Sequence, residues 1–228
     1  MNLFTLRRVL LPCLSLLIPG QLLSKPSILP PEVVVVLYNT EDEDSKRLAL
    51  HYAKARSIPE DNLVGLPIPL GDEISREQFN QKIRTPLCGI FDDRNWWVRK
   101  AGSSGQKQPI TLKRRVLVTM RGVPFKIART LDTIPEGQAN KRPFTPNPKG
   151  NEASVDSELS LMGIEGYEIA GQIPNPYFKK DQSLLNLANP GILLVSRIDG
   201  PSLQTCMRMV DDAIAVEKSG LWGKAYLD

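Results

Sequence analysis

The chain has 228 residues, 41% of them apolar and 24% charged, which is the balance of an ordinary soluble globular protein with ample core. Its formal net charge is +4, and Arg7 and Arg8 supply two of those charges. A surplus that small excludes an argument for nucleic acid as a partner, even with a pI near 9.0.

Residues 1–24 read as an export signal. Arg7 and Arg8 form its positive start, and residues 9–23 are apolar but broken by Pro12, Pro19 and Gly20. Such a stretch is too short and too interrupted for a membrane span of about 20 residues. The expected location is therefore periplasmic or extracellular, with membrane contact only through this N-terminal segment. Pro12 stands before Cys13 where a lipoprotein signal wants a small residue, so no lipid anchor is expected. Cys88 and Cys206 remain after cleavage, an even count that permits one disulfide in an oxidising compartment. Because Cys206 falls on an apolar helical stripe, buried free thiols are the expectation.

Residues 25–32 are a Pro-rich lead-in to a single α/β domain over 33–228, with long irregular insertions at 121–151 and 163–190. Residues 33–38 (VVVVLY) have the four consecutive valines of a strand buried on both faces. The acidic run at 39–44 (NTEDED) then leads into a helix over 45–56, with Leu48, Tyr52 and Ala55 on one face. Four residues' worth of acidity at a strand end suits either Mg²⁺ or Ca²⁺, or simply the positive end of a helix dipole, and the dipole reading is preferred. A second strand lies within 62–69 (NLVGLPIP). Ser75 caps the next helix, Gln78 completes a capping box, Ile74 staples against Phe79, and Pro86 is expected to stop it. Trp96 and Trp97 fit an amphipathic helix better than a ligand platform, and 101–109 reads as a flexible polar connection.

The third strand lies within 112–120, centred on 115–118, and runs into Arg121 and Gly122. Residues 121–150 carry six basic side chains against two acidic ones, so an anionic ligand is conceivable there, although a solvated loop is the simpler reading. A helix begins at Ser154. On it Asp156 and Glu158 point about 200° apart and converge only if the segment is extended. The last forty residues form a βαβ unit: a strand at 192–196, a helix opened by Gly200, Pro201 and Ser202, and a strand at 224–227. The helix carries the stripe Leu203, Cys206, Met207, Val210, Ala213 and Ile214, and Gly220 ends it. Strands alternating with helices predict a three-layer α/β sandwich with a largely parallel sheet, Rossmann-like or caspase-like, open to completion by residues beyond Asp228.

The chemistry is bounded by what is missing. The single histidine, His51, lies mid-helix, away from the strand ends where a nucleophile would need it. Zinc ligands are too few, so no metal is assigned, and no cofactor is indicated. No dinucleotide fingerprint, phosphate loop or nucleophile elbow occurs. In open parallel sheets ligands bind beyond the carboxyl ends of the strands, which makes Asn39, Arg121, Gly122, Arg197 and Asp199 the candidate site. Asp228 joins them if a last strand continues the sheet, and Asp156 and Glu158 are further candidates.

The ordered series VVVVLYN, Ile58-Pro59, RGVPFKI, SVDSELSLM and SRIDGPS through VDDAIAVE to GKAYLD resembles an uncharacterised family of exported bacterial proteins, across nearly everything after the signal. That resemblance implies no established activity. A remoter likeness, from Ser196-Arg197 through Glu217, is to the first half of gingipain-type, caspase-fold peptidases, whose catalytic His and Cys come after this region. Two functions follow as expectations. One is an exported non-catalytic binding module, or the first half of a longer protein, meeting a partner or an anionic envelope component. The other is a hydrolase-like enzyme, peptidase-related or metal-assisted, using acidic and arginine residues at the strand ends.

Overall fold

The computed structural model describes residues 29–102, 105–129, 151–166 and 191–220. The expectations for the signal segment, for the strand at 224–227, for Asp228 and for most of both irregular insertions lie outside those residues.

Four strands form the central sheet: β1 (Val34–Asn39), β2 (Leu63–Leu66), β6 (Val116–Met120) and β9 (Leu194–Ile198). Their order is β2-β1-β6-β9, and every neighbouring pair is parallel. The chain is thus an α/β protein built on a parallel sheet, as the alternation of strand and helix requires. Val35, Val36 and Leu37 are fully buried, so the valine run does form a strand covered on both faces. Each such side chain contributes about 1.5–3 kcal/mol by leaving water.

Alternate residues of the strands enter two separate cores. Val36, Val118 and Met120 meet Leu48, Ala49 and Ala53 of α1 (Glu43–Arg56) and Leu203 and Cys206 of α5 (Leu203–Ser219). Val35, Leu37 and Leu117 meet Phe79, Ile83, Leu87 and Phe91 from the helical run after β2, and Val155 and Leu159 of α4 (Val155–Ser160). Helices α1 and α5 are also joined at their surface by His51 Nε2 to Asp211 Oδ1 at 2.8 Å and by Arg56 to Glu217 at 2.5 Å. The Arg56 guanidinium holds the Glu217 carboxyl below the usual range.

Several local expectations change. Between β2 and the helix lies a short strand, β3 (Glu73–Ile74). The helix opens as expected: Ser75 and Gln78 exchange both bonds of a capping box, and Ile74 and Phe79 are buried in the same core. Pro86 does not stop it. Residues run from α2 (Arg76–Phe79) through a π-helical turn, Asn80–Arg84, into α3 (Thr85–Asp93). The wide turn places proline just inside a fresh α segment, where its missing N–H removes little. The run ends instead at Asn95, whose φ of 52° is left-handed.

That turn converts the tryptophan stretch into a hairpin rather than a helix, β4 (Trp97–Ala101) against β5 (Lys107–Leu112). Trp96 and Trp97 both pack on Phe91, with ring centroids 5.1 and 4.8 Å away. Both ends of the stretch read as a flexible connection, Ala101 and Lys107 to Pro109, are therefore paired. A three-stranded sheet, β3 with β7 (Lys126–Ile127) and β8 (Ala153–Ser154), was not anticipated. Strand β9 runs two residues later than expected, because its register on β6 pairs Val116 with Leu194 and Met120 with Ile198. Helix α5 begins correspondingly late. Ser202, not Gly200, is its cap, since the hydroxyl can accept from the Thr205 amide at 3.2 Å and glycine has no such acceptor. Gly220 ends the helix with φ 81°.

Cys88 and Cys206 are free thiols on the two opposite cores, Cys206 buried as expected but Cys88 only half-buried against its core. Burial pushes both thiols up from their ordinary range. Their contribution to stability is complete below the ordinary thiol pKa and is lost as pH rises towards the raised folded value. At pH 8 a thiol reagent is expected to label both cysteines of the native protein roughly tenfold or more slowly than in urea. Native labelling as fast as in urea would overturn their assignment as inert core groups.

Candidate functional site

The strand order reverses between β1 and β6: the chain leaves β1 for β2 on one side, then places β6 and β9 on the other. At such a switch point the connections diverge from adjacent strand ends and leave a crevice. A cleft of about 240 Å³ opens there. Its walls come from Asp42 after β1, Leu70, Gly71 and Asp72 after β2, Arg121 to Val123 and Phe125 after β6, and Asp199 and Gly200 after β9.

Asn39 holds the floor of this region together. It is fully buried, its Oδ1 accepts from the amides of Glu41 at 3.0 Å and Ile68 at 3.1 Å, and its Nδ2 donates to the Gly122 carbonyl at 3.0 Å. One amide side chain thus joins the ends of three strands. Asn39→Asp is expected to lower stability by about 3 kcal/mol, because it turns an acceptor oxygen towards the Gly122 carbonyl without water to separate them. Urea denaturation measures this, and a change below about 1 kcal/mol would show that the three ends do not depend on the bond.

Asp42 is the N-cap of α1; its Oδ1 accepts from the amides of Asp44 at 2.9 Å and Ser45 at 3.3 Å. The acidic run at the end of β1 therefore serves the helix terminus, and no group of three or more metal-ligand side chains occurs among the described residues. Arg121 lies across the cleft mouth. Its Nε donates to the Gly200 carbonyl at 3.2 Å, and Nη1 stands 4.0 Å from Asp42 and 3.9 Å from Asp44. Gly122 has φ 90°, and a Cβ there would press into the Asp42 carboxylate and stand 3.0 Å from Ser45 Cβ.

Arg197 does not line the cleft but braces its wall. Its guanidinium makes a two-pronged contact with Asp156, Nε to Oδ2 and Nη2 to Oδ1, each 2.8 Å. It also donates to the carbonyls of Val123 at 2.6 Å and Pro124 at 3.1 Å, so the loop after β6 hangs on it. Thr119, the register partner of Arg197, donates to the same Asp156 at 3.2 Å. Asp156 and Glu158 sit on a helix and diverge: Glu158 turns away to a buried pair with Arg76 at 2.9 Å. Of the candidate residues, Arg121, Gly122 and Asp199 line the cleft, Asn39 and the Arg197–Asp156 pair support it, and Glu158 lies apart.

Asp72, Leu70 and Phe125 were missed by sequence reasoning. Asp72 and Leu70 follow the carboxyl end of β2, and Phe125 the end of β6, so the strand-end rule could have found them had the loops been followed further. Among the described residues the lining holds three carboxylates against one guanidinium, which does not favour the anionic ligand suggested by the basic surplus of residues 121–150. No family model, curated protein or solved structure matches this chain.

Proposed function

We propose that this chain is an exported α/β binding module, three layers deep and of the Rossmann-like or caspase-like kind, that holds a small polar ligand at the switch point of its sheet. The observation that carries the reading is the cleft itself, walled by the loops after the four parallel strands of the described sheet, three of whose ends Asn39 ties together. The likeness to exported bacterial proteins belongs to the same proposal.

Binding is favoured over hydrolysis by what the polar groups already do. Asp42 caps a helix, Arg121 is held to the Gly200 carbonyl, and His51 bonds Asp211 about 12 Å along α1 from its start. Among the described residues no cleft-lining side chain is a serine, threonine or cysteine that a base could activate. The test is a titration of ¹⁵N-labelled protein with a library of polar fragments, followed by amide shifts. Saturable shifts are expected at Asp42, Gly122 and Gly200. Shifts confined to other surfaces, or none, would overturn the reading. Intact-mass measurement on protein from its native host tests export, which requires that residues 1–24 be absent.

A further inference from the structure

We draw no further inference here: the strongest candidate, the outer edge of β9 together with the exposed apolar side chains Met209 and Val216 of α5, is an unpartnered surface, and nothing among the described residues shows what covers it.

Discussion

Replacing Glu158 by alanine is expected to lower stability by about 3–5 kcal/mol, because it strands a buried guanidinium. Arg76 and Glu158 meet at 2.9 Å with side chains only 9% and 7% exposed. Arg76 also donates to the Asn151 carbonyl at 2.9 Å and stands 6.0 Å from the Phe79 ring centre, contacts that hold its guanidinium against the core. Its Nε is buried with no hydrogen-bond partner among the described residues, which makes loss of the carboxylate harder to absorb. The pair itself need not be a net stabiliser, since taking both charges out of water offsets much of their attraction. The double change Arg76→Met with Glu158→Leu is therefore expected to recover most of the loss. Urea denaturation of the single and double variants closes the cycle. A single-variant loss below about 1 kcal/mol would mean that water reaches Arg76, and the burial argument would fail.

Gly122→Ala is expected to be nearly as severe, at about 3 kcal/mol, for a reason of backbone rather than charge. A φ of 90° is costly for any residue with a Cβ, on the order of 1–3 kcal/mol. The added carbon would also stand 3.0 Å from Asp42 Cγ and from Ser45 Cβ. Asp42 is the cap of α1, and the Ser45 hydroxyl accepts the Asn39 amide at 3.0 Å. Moving either disturbs the cap, worth about 1 kcal/mol, and the floor of the cleft with it. Calorimetry should show a lowered melting temperature, and amide shifts at Asn39 and Ser45 should change together. An unchanged melting temperature would show that the start of α1 yields freely.

What could be read in the sequence was what depends on near neighbours. The first strand, one residue later than the expected 33–38, and the capping box at Ser75 and Gln78 appear because burial on both faces and reciprocal capping leave local marks. The divergence of Asp156 and Glu158 was equally legible, since helical geometry alone sets it. Pro86 and Trp97 misled because a local rule met a tertiary demand. A π turn let the helix pass proline, and Asn95 in a left-handed conformation led into a strand that starts at Trp97, packed on Phe91.

The sequence by itself determined an alternation of buried strands and amphipathic helices, a lone histidine placed away from the strand ends, and glycine where Arg121 gives way to the next loop. Only the tertiary structure decided that β6 pairs with β1 while β2 takes the other side, and so which loops face one another. Sheet order is set by contacts between segments distant in the chain, such as Asn39 with Ile68 and Gly122, and these leave no periodic trace in the residues between them. The same distance hid the sign of the cleft. The basic surplus counted along residues 121–150 is a property of one segment, whereas Asp42, Asp72 and Asp199 come from three different loops and meet only when the sheet has formed.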